Sequence, residues 1–247
     1  MNKLLVKVTL LEEMLGTASS NPEIHDEFIA SKAPDAATRE MEVEALGAEE
    51  VAQKGTTIFA KDTDGTPVLW DYQIKGFFKD ACGSLRRIKT SKSAAMKNYK
   101  KVIDGNIFVK GVKAGNRKMI RVENAGELTT CQRPLRAQTA QGERVALASS
   151  ESAQAGATLE FIVKCQNDSD LKTVKEWLAY GVYRGLGQWR NSGKGRFRAE
   201  VAEWEETSGG EGKWGELKHL DKVLSRKDLE EACIDPEDML EAWELEV

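Results

Sequence analysis

The stretch Gly185-Leu-Gly-Gln-Trp-Arg-Asn-Ser-Gly-Lys-Gly195, followed by Arg196 and Phe197, decides how this chain is read. It holds two Gly-x-Gly pairs, Gly185/Gly187 and Gly193/Gly195, with Trp189 and Arg190 between them and Lys194 and Arg196 at the end. Glycine admits positive φ and lets another backbone or a phosphate come close. Successive N–H groups in such a loop can form an anion-binding concavity. Trp189, Arg190, Lys194 and Arg196 add a stacking face and charge, the ingredients of a single-strand nucleic-acid groove. The same residues also suit a surface turn whose basic side chains are merely solvated.

On either side of the loop the pattern is regular. Before it, Ser169 is placed to cap a helix running to about Tyr183, with Leu171, Val174, Trp177, Leu178 and Val182 on one stripe. After it, Arg196 to Trp204 alternates strictly and reads as a final strand. A helix, a glycine loop and a strand come here in the reverse of the dinucleotide-binding order. The chain opens on a strand over Leu4–Leu11, and Thr57–Lys61 with Val68–Ile74 form a hairpin about the Asp64-Gly65 turn. A helix then opens at Ile74-Lys-Gly-Phe-Phe-Lys79, with Phe77, Phe78, Ala81, Cys82 and Leu85 facing a core. Lys75 and Lys79 fall near its start, where free N–H groups favour phosphate; the alternative is that they are solvated surface lysines. Thr90–Tyr99 reads as a basic loop or short helix, Asp104-Gly105-Asn106 as a turn, and Ile107–Val109 as a strand. Lys113–Arg121 reads as a second basic loop. Two further strands flank the turn at Gln141-Gly142, with Pro134 marking the first as an edge or bulged strand, and Thr158–Cys165 is another.

Composition bounds the class. The chain has 247 residues, 40% hydrophobic and 31% charged, enough for a real core. No run approaches the roughly 18 apolar residues of a membrane span, and the N-terminal stretch reads as a strand with no signal peptide, so the expected location is the cytoplasm, without membrane partners. Cys82, Cys131, Cys165 and Cys233 lie far apart, and the histidines are His25 and His219; the expectation is free thiols, no metal and no cofactor. No phosphate-loop lysine motif, nucleophile elbow or dinucleotide fingerprint occurs, which disfavours a metabolic enzyme. The net charge of −4 conceals an asymmetry. Between Lys75 and Arg121 many bases, among them Arg86, Arg87, Lys89, Lys92, Arg117 and Lys118, face only Asp80 and Asp104; from Glu200 onward acids dominate. A basic middle and an acidic tail fit a polyanion partner, a head-to-tail self-contact, or both.

Three segments, in this order, carry a resemblance. Ile74-Lys-Gly-Phe-Phe-Lys79, the strand pair Arg144-Val-Ala with Ala155-Gly-Ala-Thr-Leu-Glu-Phe161, and Leu186–Phe197 together resemble the helix start, strand pair and glycine loop of the RAMP superfamily. The likeness covers roughly Leu4 to Trp204 and is nearest to the backbone-forming subunits of CRISPR effector complexes. The chain also looks similar to RAMP-like proteins of phages and prophages. The resemblance implies an α+β, ferredoxin-like (RRM-like) core with an antiparallel sheet, as a domain over 1–206. Insertions would fall at about 16–73 and 89–127, with thumb and finger hairpins, while the acidic extension over 207–247 lies outside the family's pattern. It implies a self-assembling protomer, a head-to-tail homo-oligomer or filament, that binds single-stranded RNA or DNA with RNA favoured. Lys75 and Lys79 would touch phosphate, and Gly185, Gly187, Gly193 and Gly195 would shape the groove. Where the family has small hydroxyls at the helix start, this chain has Phe77 and Phe78.

The full expected nucleic-acid surface adds Arg86, Arg87, Lys89, Lys92, Arg117, Lys118, Arg133 and Arg136 to those lysines, with Trp189, Arg190, Lys194 and Arg196 around the glycines. Two other readings stay open. One is an anti-CRISPR-type mimic whose acidic tail blocks a host CRISPR complex. The other is an endoribonuclease using His25 as general base, with Asp26 or Asp35 available if a metal were present.

Overall fold

In β1 (Asn2–Leu10) the residues Leu4, Val6, Val8 and Leu10 are buried, while Lys3, Leu5, Lys7 and Thr9 turn to the other face. That period of two is what a half-buried strand requires. The computed structural model of the chain describes residues 2–19, 56–112, 118–139, 142–206 and 212–220, with the backbone only for 19, 135–139, 142–147, 205, 206 and 212. His25, Arg117, the helix expected over 37–53 and the tail beyond 220 lie outside the described residues.

After β1 come β2 (Met14–Leu15), β3 (Ala18–Ser19), β4 (Thr57–Ile58), β5 (Ala60–Lys61), β6 (Pro67–Trp70) and helix α1 (Asp71–Leu85). The 3-10 turn η1 (Lys92–Ala95) and α2 (Tyr99–Asn106) lead to β7 (Ile107–Gly111) and β8 (Met119–Glu123). A long hairpin of β9 (Thr129–Thr139) and β10 (Gly142–Ala153) precedes β11 (Thr158–Cys165) and α3 (Asp168–Ala179). The described part closes with η2 (Tyr180–Val182), η3 (Arg190–Ser192), β12 (Phe197–Glu206), β13 (Gly212–Trp214) and β14 (Lys218–His219).

The strand order identifies the core. β1 is central and pairs antiparallel with β11 on one side and β12 on the other, setting Leu5 opposite Ile162 and Ala202. β7 pairs antiparallel with the far edge of β11. Helix α1 lies between β1 and β7 in the chain, and α3 between β11 and β12. The order across the sheet is therefore fourth, first, third, second strand of a β-α-β-β-α-β unit, the ferredoxin-like arrangement. The α+β, mostly antiparallel expectation holds. β8, β6 and β5 continue the sheet past the other half of β11, and a second sheet joins β2, β10, β4 and β3, with β9 on β10. In it, β4 meets β10 in parallel at Thr57 and Ser150.

Helix α1 buries Phe77, Phe78, Ala81, Cys82 and Leu85, the stripe expected from its spacing, and Ile74 with them. Phe77 meets Phe197 edge-on at 5.1 Å, and Phe78 meets Trp177 of α3 at 5.5 Å. Each such ring removed from water contributes about 1.5–3 kcal/mol. Phe77 and Phe78 thus belong to the core between both helices and the sheet.

Several local expectations are corrected. Helix α1 starts at Asp71, three residues before Ile74, because the Gln73 side chain accepts from the Trp70 N–H at 2.6 Å and closes the first turn. Asp104-Gly105-Asn106 ends α2 and is no free turn. Asn167, not Ser169, precedes α3. The expected strand Thr57–Lys61 breaks at Phe59, whose N–H donates to Glu151 Oε2 at 2.9 Å, so β4 and β5 serve different sheets. The strand after the glycine loop is not the last, since β13 and β14 both pair with β12.

Candidate nucleic-acid interface

The glycines of the 185–197 loop are there for the loop's own backbone. A Cβ on Gly185 would sit 2.2 Å from the Lys194 carbonyl oxygen, and one on Gly195 2.0 Å from that of Leu186. The two strands of the loop cross at this point, where the Leu186 N–H donates to Gly195 O at 2.9 Å and the Gly195 N–H to Glu13 O at 2.8 Å. Gly187 has φ +76° and would press a Cβ against Leu15 O at 2.6 Å. Gly193, at φ +80°, ends η3. The glycines fix a tight loop against the turn after β1, which sets where its side chains emerge.

Those side chains are largely neutralised by the protein itself. Arg184 Nε donates to Asp80 Oδ2 at 2.6 Å, and Arg190 Nη1 reaches the same oxygen at 3.1 Å. Lys194 is bonded to Glu13, and Arg196 Nη2 to Glu12 Oε1 at 3.1 Å. The bond from Lys194, helped by one from Ser152, holds the Glu13 carboxyl below the usual carboxylate range; the same bond raises the Lys194 ammonium. The Asp80 bond likewise raises Arg184.

Arg133 stands apart from these pairs. It enters from β9, is buried at 8% exposure, and lies over the Trp189 ring with its guanidinium carbon 5.1 Å from the centroid. Its Nη2 donates to the neutral Gln188 amide oxygen at 2.8 Å, while Nε and Nη1 have no hydrogen-bond partner among the described residues. Gln188 in turn donates to Gly16 O at 3.0 Å. Trp189 is 39% exposed and holds a left-handed backbone at φ +55°.

The expected helix-start lysines have an internal partner. Lys79 Nζ is 2.7 Å from Asp104 Oδ1, and Lys75 Nζ donates to Asp104 O at 3.3 Å while lying 5.3 Å from the Phe108 ring centroid. With α1 starting at Asp71, both lysines sit beyond its free N–H groups. At that terminus the Asp71 N–H donates to Lys118 O at 2.9 Å. Lys118 therefore borders the helix start, and the Arg136 side chain lies outside the described residues.

The free positive charge lies elsewhere. No Asp or Glu occurs between Asp80 and Asp104, and in that interval Arg86, Arg87, Lys89, Lys92, Lys97, Lys100 and Lys101 are all exposed. None of them has an acidic partner among the described residues; Arg86 lies over the Tyr99 ring at 5.3 Å. This segment is pinned by Glu176 of α3, a residue only 8% exposed. Glu176 accepts from the Lys92 N–H at 2.8 Å, the Ser93 N–H at 3.1 Å, Ser91 Oγ at 3.0 Å and Ser93 Oγ at 2.7 Å. Trp177 Nε1 completes the node by donating to Ser93 Oγ at 2.9 Å. Four donors on one buried carboxylate hold η1 against α3 with its bases outward.

Sequence reasoning finds the bases and misses the acids that organise them: Asp80, Glu13 and Glu176. Two of these carry a usable signal. Asp80 is the acid that bounds the basic run, and Glu176 is a charge directly before the apolar Trp177-Leu178 pair of α3.

The sheet face away from the buried rows offers no stacking platform on its central strands. It presents Lys3, Leu5, Lys7 and Thr9 from β1 and Thr158, Glu160, Ile162 and Lys164 from β11. Its aromatics stand at the margins, with Phe108 on β7 and Trp204 on β12, where Lys3 Nζ lies 4.5 Å from the Trp204 ring centroid. RRM-type stacking places aromatics on the sheet itself. Among the described residues no cluster of His, Cys, Asp and Glu could hold a metal ion, and no helix is long and apolar enough to cross a membrane.

No protein-family model matches the chain, and neither does any curated protein. Among solved structures the chain is similar to one from "Cryo-EM structure of the Type III-B Cmr-beta bound to cognate target RNA", at 11% identity and a TM-score of 0.42. That match covers 88% of this chain and 60% of the other, so the chain spans less than two thirds of that protein's length. The strand order, not this likeness, carries the ferredoxin-like assignment.

Proposed function

We propose that this protein is a non-catalytic, RAMP-like binder of single-stranded nucleic acid, with RNA favoured and little preference for base sequence. The observation that carries the reading is the acid-free segment between Asp80 and Asp104, pinned to α3 by Glu176, whose exposed bases have no acidic partner among the described residues. A fixed row of cations without counter-charges attracts a polyanion, and its phosphates replace condensed counterions. The preference for RNA follows from the resemblance of the glycine loop, helix start and strand pair to the RAMP superfamily. Head-to-tail assembly has its own support in charge. From Asp228 to Val247 the chain holds Asp and Glu and no Lys or Arg, so one copy's tail complements another's basic segment.

The test is anisotropy of labelled 12-nucleotide oligouridylate and oligothymidylate at several salt concentrations, with particle size followed alongside. The expected result is steeply salt-dependent binding, tighter for RNA, with growth of larger particles. Flat titrations for both strands at low salt overturn the proposal.

A further inference from the structure

Resting on that reading, we infer that Arg133, Gln188 and Trp189 form a specific phosphate seat, distinct from the diffuse basic segment, in which Trp189 moves off Arg133 to stack on a base. Three observations converge. Arg133 is a buried cation whose hydrogen-bonding partner, Gln188, is neutral, with Nε and Nη1 unbonded among the described residues. A buried charge without an opposite charge is unfavourable, and a planar guanidinium matches phosphate oxygens. Trp189, a bulky residue, holds a left-handed backbone, the kind of strain that persists where the surroundings impose it and gathers at ligand sites. Trp189 is also partly exposed, so the group covering Arg133 is itself within a ligand's reach.

The neighbouring bases sharpen the assignment. Arg184, Arg190, Lys194 and Arg196 each have a carboxylate, and Arg133 alone around this loop has none among the described residues. A phosphodiester oxygen would supply the charge that Arg133 lacks. The indole released from it would keep a π-face partner in the adjoining base. The seat lies where the β9–β10 hairpin meets the glycine loop, so a bound strand would run along the base of that hairpin.

The experiment compares wild type with Arg133→Gln and Trp189→Asn, Asn being tolerant of the left-handed backbone. Melting temperature and oligouridylate affinity are measured for each, and a 4-thiouridine 12-mer is photocrosslinked and mapped by mass spectrometry. The expected result is an affinity loss on the order of tenfold for both variants. The melting temperature of Arg133→Gln is expected to be unchanged or raised, since removing a structural arginine would lower it, and the wild-type protein is expected to crosslink at Trp189. Wild-type affinity in both variants, with crosslinks confined to 86–101, overturns the seat and leaves the proposed function standing. Absence of binding by the wild-type protein overturns both. If Arg133→Gln does not fold, Arg133→Lys, which keeps the charge and loses the fork, is expected to show an intermediate loss, and full affinity there also overturns the seat.

Discussion

Asp80 of α1 and Arg184, the residue before the glycine loop, meet through a 2.6 Å bond from Nε to Oδ2, with Arg190 closing on the same oxygen. One carboxylate on α1 thereby holds two of the cations nearest the glycine loop. Asp80→Asn frees both. The expected outcome is tighter oligouridylate binding with a steeper salt dependence, at a stability cost of about 1–2 kcal/mol in urea denaturation. Weaker binding by a folded Asp80→Asn protein would mean that these arginines do not face the strand.

Glu176 holds the basic segment in place. Replacing it with Ala leaves the N–H groups of Lys92 and Ser93 and two hydroxyls without their shared acceptor. A destabilisation of about 2–4 kcal/mol is expected, with Glu176→Gln in between because it keeps one acceptor oxygen. Hydrogen exchange checks the local claim: protection at 91–96 should fall before that of β1 and β11.

Three glycine replacements separate backbone necessity from tolerance. Gly195→Ala forces a Cβ onto the Leu186 carbonyl at φ +72°, and a loss of roughly 3 kcal/mol or more is expected. Gly65→Ala, at φ +78° with open space around it, should cost about 1 kcal/mol. Gly76→Ala, inside α1 with nothing near, should stabilise by about 0.5–1 kcal/mol. Thermal or urea unfolding of the three ranks them.

The Glu13–Lys194 pair sets a pH dependence with a definite sign. Glu13 is depressed in the folded protein, so its contribution is present above the ordinary glutamate range and is lost as pH falls through the lowered value. Lys194 is raised, so its contribution is full below the ordinary lysine range and is lost only as pH rises through the raised value. Relative to wild type, Glu13→Gln should flatten the acid limb of the stability–pH curve while leaving the curve between about pH 6 and 8 parallel.

How much of the fold and the interface is legible in the sequence depends on the range of the signal. β1, β11 and the α1 stripe follow from period-2 and period-3.6 patterns that their own residues display. The glycine spacing locates the loop that closes on the turn after β1, but what the glycines face depends on Glu13, Leu15 and Leu186, neighbours that the spacing does not encode. The same limit hides the neutralisation of the basic residues. Asp80 and Arg184 stand 104 positions apart, and Ser91 and Glu176 stand 85 apart, so only the folded chain brings them together. The true start of α1 is hidden for a local reason, since the Gln73 cap lies inside what reads as continuing strand.

The most direct test of the central claim is the salt dependence of oligouridylate binding by wild type and by a variant with Arg86, Arg87, Lys89 and Lys92 all changed to Gln. These bases are exposed and, among the described residues, without acidic partners, so the variant should melt with wild type. For every phosphate that the variant no longer neutralises, the slope of log affinity against log salt should become shallower by about 0.7. The expected result is affinity down by at least about tenfold with a slope shallower by roughly two units or more. A variant that melts with wild type and keeps both its affinity and its slope would contradict the claim that this segment binds the strand.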